Sequence, residues 1–166
     1  MPSVKFQGNK VTLSGNLPIE GQKMPRFTLC GSDFEPLNSE SFEGKNIILN
    51  IFPSIDTPVC ALSVRRFNER ASKLDDVEIL CISADLPFAA NRFCLDKSIT
   101  HVKTASFFRS NSFTEDFGVK IQDGLLSGLS TRAILVSNKK GFVIHSELVS
   151  EITSEPNYDA ALEVLL

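Results

Sequence analysis

Asn46-Ile47-Ile48-Leu49-Asn50-Ile51-Phe52-Pro53-Ser54-Ile55-Asp56-Thr57-Pro58-Val59-Cys60 reads as three elements in succession. A nearly continuous apolar run through Phe52 has the composition of a central strand buried on both faces. A short polar loop follows, and then a helix begins. Thr57 is a favoured N-cap, and Pro58 takes the first helical position, where its missing N–H costs nothing. Cys60 then falls on the third helical position, with its amide within reach of the threonine hydroxyl. Unpaired N–H groups and the positive end of the macrodipole favour an anion such as a thiolate at this place. In open α/β sheets ligands bind at the carboxyl ends of the strands. Cys60 therefore stands where a site is expected.

Working outward, the helix is expected to run to about residue 73. Cys60, Val64, Phe67, Ala71 and Leu74 recur at spacings of four and three and form one inward stripe. Residues 77–83 read as a second apolar strand, after which Asp85-Leu86-Pro87 opens a helix carrying Phe88, Phe93 and Cys94. Upstream, residues 4–7 and 10–13 alternate around Gly8-Asn9 as a β-hairpin. Residues 15–25 form a loop with two glycines and two prolines, and residues 27–30 a short strand. Downstream, a short helix around residues 114–117 ends at Gly118, and residues 124–128 form a loop. A strand over residues 132–136 turns at Asn138-Lys139-Lys140-Gly141 into a partner strand over residues 142–149. Residues 157–166 read as a terminal helix. Strands alternating with helices, plus a hairpin near the end, predict an α/β sandwich with a mixed sheet. No repeat, linker or low-complexity segment interrupts it, so residues 1–166 are expected to form one domain.

The 166 residues are 42% hydrophobic and 22% charged with net charge −3, which directs attention away from nucleic acid and anionic membrane surfaces. The first residues lack a signal-peptide pattern and no apolar run reaches membrane-span length, so a cytoplasmic protein is expected. Of the four cysteines, none forms a C-x-x-C pair, and the two histidines, His101 and His145, are isolated. Zinc is thus poorly supported and redox chemistry leads. Cys30 and Cys81, inside apolar strands, read as small buried hydrophobes. Cap, proline and helix mouth single out Cys60 as the reactive thiol. Cys94 stays open between a reactive thiol and a helix-face filler.

Pro53, Thr57 and Cys60 also complete the P-x-x-x-T-x-x-C signature of peroxiredoxins. The runs at residues 49–60 and 80–88, Arg92-Phe93-Cys94 and the ending at residues 151–158 resemble the bacterial thiol peroxidases, the atypical two-cysteine peroxiredoxins. The resemblance spans essentially the whole chain in order. It implies a thioredoxin-like fold, with a central mixed sheet flanked by helices and an N-terminal hairpin. It also implies that the Cys60 thiolate attacks the peroxide and becomes a sulfenic acid. Thr57 would hydrogen-bond thiolate and peroxide, and Pro53 would shield the sulfur from water. Cys94 would resolve the sulfenic acid to an intramolecular disulfide, which thioredoxin reduces. A homodimer is implied, and cysteine chemistry alone, with no haem, flavin or metal cofactor.

A cation is also needed for the developing negative charge on the leaving oxygen. Arg65, Arg66, Arg92, Arg109 and Arg132 are the candidates. Arg132 stands out because it opens an apolar strand, and the family carries an arginine at the matching place. The apolar residues Phe52, Pro53, Ile55, Val59, Phe88 and Phe93 would suit an alkyl hydroperoxide or could equally be core. His101 and His145 are expected to be structural or on the surface. A disulfide requires Cα atoms within about 7 Å. Cys60 and Cys94 lie on different helices, so both helix segments are expected to unwind locally between the two redox states. The rival readings are a peroxide-sensing switch and a general thiol–disulfide oxidoreductase, the latter disfavoured by the missing C-x-x-C.

Overall fold

The computed structural model describes residues 1–110 and 112–166. The N-terminal hairpin pairs β1 (Ser3–Phe6) with β2 (Asn9–Thr12) in antiparallel register. Its loop is Gln7-Gly8, one residue earlier than expected. Both positions take positive φ, 51° and 82°, as a two-residue type I′ turn requires. After a long loop come β3 (Thr28–Gly31), β4 (Pro36–Asn38), a single 3-10 turn (Ser39–Phe42) and β5 (Asn46–Ile51). The chain continues through α1 (Pro58–Ala71), β6 (Val77–Ser83), α2 (Pro87–Asp96), β7 (Lys103–Ser106) and α3 (Phe113–Asp116). It closes with β8 (Ala133–Ser137), β9 (Val143–Leu148) and α4 (Tyr158–Glu163).

Seven strands form one mixed sheet in the order β4-β3-β7-β6-β5-β8-β9. β6 runs parallel to β5 and β7, while β8 is antiparallel to both β5 and β9. This is the α/β architecture with an N-terminal hairpin that the pattern of elements predicts. β4 and β7 carry no apolar alternation of their own. β4 is an edge strand that opens on a proline, a place where the missing N–H is tolerated. β7 is held between β3 and β6. α4 is shorter than expected, six residues, and the Asn157 side chain caps it by accepting the Ala160 N–H at 3.0 Å.

Side chains alternate across β5, as the two-residue period of a strand dictates. Ile47, Leu49 and Ile51 enter a cluster with Phe27, Phe113 and Phe117. Ile48 joins Val64 and Phe67 of α1 and Ala161 and Leu162 of α4 on the other face. Phe67 is completely buried there, a contribution of about 2–3 kcal/mol. A third cluster of Val4, Val11, Leu13, Ile121 and Ile152 fastens the hairpin to the body.

One consequence of this topology positions the site. β5 and β6 are parallel neighbours, with Ile51 opposite Ile82. The loops that leave their carboxyl ends therefore emerge side by side, one leading into α1 and Cys60, the other into α2 and Cys94.

Candidate active site

Cys60 occupies the third position of α1 and is 1% exposed. Thr57 is the N-cap, with extended backbone (φ −90°, ψ 147°), and Pro58 follows in the first turn. The expected bond from the Cys60 amide to the threonine hydroxyl does not form. The Thr57 hydroxyl instead donates to the Ser54 carbonyl at 3.0 Å, and the same carbonyl accepts the Thr57 N–H at 3.1 Å. The tight turn over residues 54–57 brings that carbonyl back under Thr57, and the rotamer that meets it leaves the helix amide aside. Pro53 is buried directly before this turn.

Arg132 supplies the nearest cation. Its Nη2 donates to Cys60 Sγ at 3.1 Å and its Nε to the Ile152 carbonyl at 2.9 Å. The residue is 1% exposed, and Nη1 has no hydrogen-bond partner among the described residues. Nor does any carboxylate among them pair with this guanidinium. An uncompensated buried charge costs several kcal/mol. The sulfur of Cys60 is the group placed to become its counter-ion.

The support behind Arg132 comes from the far end of the chain. Ile152 N–H donates to the Lys5 carbonyl and Lys5 N–H to the Ser150 carbonyl, both at 2.8 Å. Glu151 accepts the N–H groups of Gln7, Gly8 and Thr153. Those amides, Thr153 first and Gly8 next, hold its carboxyl down to about 2. The N-terminal hairpin thus fixes the loop whose carbonyl orients the guanidinium, a connection with no local sequence signal.

The other arginines are engaged elsewhere or exposed. Arg66 pairs with Glu69 and Arg92 with Asp56, Arg109 donates to the Phe34 carbonyl, and Arg65 is exposed. Phe52 and Ile55 pack with Cys60 in one apolar cluster, and Phe93 is half-buried against it. Phe88 points away, 71% exposed, with its ring 4.8 Å from that of Phe34. Its place in the helix turns it outward, so it is not part of the apolar lining considered from sequence.

Cys94 lies on α2, half-buried against the cluster that holds Cys60. Burial pushes its thiol above the ordinary range. All four cysteines are free thiols. Cys30 and Cys81 are each 1% exposed. Burial pushes Cys81 up to about 12, against a weak opposing bond from Asn50 Nδ2 at 3.6 Å. Asn50 Nδ2 also reaches the Ser63 hydroxyl at 3.2 Å, and that hydroxyl donates to the Cys60 carbonyl at 2.8 Å. The first turn of α1 is thereby tied to β5. His101 is exposed and His145 half-buried. Cys60 and Arg132 are in direct contact, Thr57 and Pro53 stand on the loop that enters the same turn, and Cys94 waits on a second helix.

This arrangement can hold an anionic sulfur away from water beside a fixed cation with a donor to spare, which suits attack on a polarisable oxygen–oxygen bond. Comparison with known proteins points the same way. Residues 19–162 match the redoxin family model. The chain is 51% identical over 160 residues to a thiol peroxidase of Vibrio cholerae serotype O1, covering 96% of this chain and 98% of that one. It is 50% identical over 165 residues to a thiol peroxidase of Mycobacterium bovis, covering 99% of each. Among solved structures, a peroxiredoxin-like protein from Aquifex aeolicus superposes with a TM-score of 0.93 at 36% identity, covering 99% of this chain and 96% of that one.

Proposed function

The chain belongs to the redoxin family, and from its likeness to thiol peroxidases over nearly its full length we propose that it is a thiol peroxidase, an antioxidant enzyme of thioredoxin-like fold. It reduces hydrogen peroxide and organic hydroperoxides at Cys60. The observation that carries this reading is the 3.1 Å contact between Cys60 Sγ and the buried Arg132 guanidinium at the mouth of α1. The Cys60 thiolate attacks the terminal hydroxyl oxygen of the hydroperoxide. A sulfur–oxygen bond forms, the oxygen–oxygen bond breaks, and sulfur is oxidised by two electrons to the sulfenic acid. The leaving oxygen departs with the bonding pair and takes a proton from solvent to give water or alcohol. Arg132 faces the developing charge with donors already in place, so little reorganisation accompanies the step. The Thr57 hydroxyl donates its hydrogen bond to the Ser54 carbonyl, which leaves its oxygen lone pairs to accept the peroxide O–H. Pro53 keeps bulk water from the sulfur.

Cys94 then attacks the sulfenic sulfur, water leaves, and an intramolecular Cys60–Cys94 disulfide results. Cys60 is buried in the first turn of α1 and Cys94 sits on α2, so closure requires both segments to unwind locally. Short helices and helix ends open at low cost. A thioredoxin dithiol returns both cysteines to thiols by exchange and is itself oxidised. The same reading includes a homodimer and a cytoplasmic location, where thioredoxin is available.

Peroxide-dependent NADPH consumption in the presence of thioredoxin and its reductase tests the proposal. The expected result is many peroxide equivalents consumed per chain. A reaction that stops after one equivalent would instead mark a peroxide-sensing switch, and thioredoxin-independent disulfide exchange a general oxidoreductase.

A further inference from the structure

The loop before Cys60 is not held by its own helix alone. Asp85, two residues before the first residue of α2, grips it from the side. Ser54 Oγ donates to Asp85 Oδ1 at 2.7 Å and Ile55 N–H to Oδ2 at 2.7 Å. Ser83 Oγ, at the end of β6, donates to the same Oδ2 at 2.6 Å and accepts the Asp85 N–H at 3.2 Å. Ser54 relays the grip onward. Its hydroxyl accepts the Asp56 N–H at 3.2 Å, and its carbonyl accepts both the N–H and the hydroxyl of Thr57, the cap of α1. A second tie crosses the same gap, from Arg92 on α2 to Asp56 at 3.7 Å.

We infer that Asp85 is a positioning residue that latches the loop at residues 53–57 to the entrance of α2, and that this latch sets how fast the Cys60–Cys94 disulfide closes. The inference rests on the peroxidase reading and deepens it. Bonds to a carboxylate are the stronger kind, and here three donors converge on one side chain. They hold Thr57 and the first turn of α1 in the arrangement that meets peroxide. They also join the two segments that have to separate and rearrange before the sulfurs can bond. Closure must therefore break contacts that the peroxide step uses, and loosening Asp85 moves the two steps in opposite directions. A residue that served stability alone would slow both.

The test is a single-turnover reaction of the full chain with one equivalent of hydrogen peroxide. It is quenched by acid and alkylation at successive times and read as reduced, sulfenic and disulfide species by intact mass. In Asp85→Ala, closure of the disulfide is expected to quicken about tenfold, the scale of one lost bond to a charged group, while sulfenic acid formation slows. Ser54→Ala removes the donor to Asp85 Oδ1 and leaves the bonds of Ile55 and Ser83 to Oδ2 in place. It is expected to show the same opposed shift at smaller size, and it serves if Asp85→Ala does not fold. Closure as slow as wild type, or slower, in the folded variant overturns the inference. A wild-type chain that forms no sulfenic acid at Cys60 defeats the peroxidase reading itself. A wild type that turns over normally beside unaltered variants defeats only the latch.

Discussion

Cys60→Ser is expected to bring thioredoxin-dependent peroxide consumption to the uncatalysed background. Serine is nearly isosteric and its buried oxygen can accept the Arg132 Nη2 bond that Cys60 Sγ accepts, so the fold should be retained while the nucleophile is lost. A hydroxyl without an adjacent base is not ionised at neutral pH, and among the described residues the one side chain hydrogen-bonded to the Cys60 sulfur is the Arg132 cation. The remaining thiols do not substitute. Cys81 is buried and pushed up to about 12, so it stays a protonated thiol at neutral pH. Cys30 is equally buried, and Cys94 is a thiol raised by burial. Turnover by Cys60→Ser approaching that of wild type would place the chemistry on one of these instead.

Arg132→Met carries the second large effect. It is expected to slow Cys60 oxidation about 10²–10³-fold, the cost of removing one preorganised donor from a developing oxyanion. The variant also separates chemistry from folding. Arg132 is a buried cation with no carboxylate partner among the described residues, and an apolar side chain of similar length in such a place is often neutral or stabilising. The rate is therefore expected to fall while the thermal midpoint holds or rises. Arg132→Lys should fall between the two, because a point charge cannot bond Ile152 and Cys60 through one planar fork. Stopped-flow or quenched single-turnover rates, set beside thermal melts, check both variants. A Met variant within threefold of wild type would remove Arg132 from the mechanism.

The strand, loop and helix from Asn46 to Cys60 were legible because each carries a local cause: an apolar run, a turn, a threonine–proline helix start. The same holds for β6, which spans the expected residues 77–83. Other features have causes far away in the chain. β7 is short and polar, and its neighbours in the sheet make it a strand. Thr57 is the cap residue that its type and place predict, but its hydroxyl follows the turn at Ser54 rather than the helix. Composition leaves Phe88 open between lining and core, whereas its angular position on α2 faces it outward. Arg132 could be favoured by its place at the head of an apolar strand and by family resemblance. Its contact with Cys60 arises only because β8 lies against β5. The hairpin that steadies Ile152, and Asp85 with its bonds from Ser54 and Ile55, join residues distant in sequence through polar bonds, which leave no periodic trace.

A sulfenic acid trap resolved to the peptide tests the division of labour between the two cysteines. Cys94→Ser is treated with one equivalent of hydrogen peroxide and a dimedone-type reagent, then digested and mapped by mass spectrometry, with wild type alongside. The expected result is a persistent adduct on the Cys60 peptide of the variant, with no disulfide, and a Cys60–Cys94 linked peptide from wild type. An adduct on Cys30 or Cys81, or a disulfide that forms in Cys94→Ser as fast as in wild type, would contradict it.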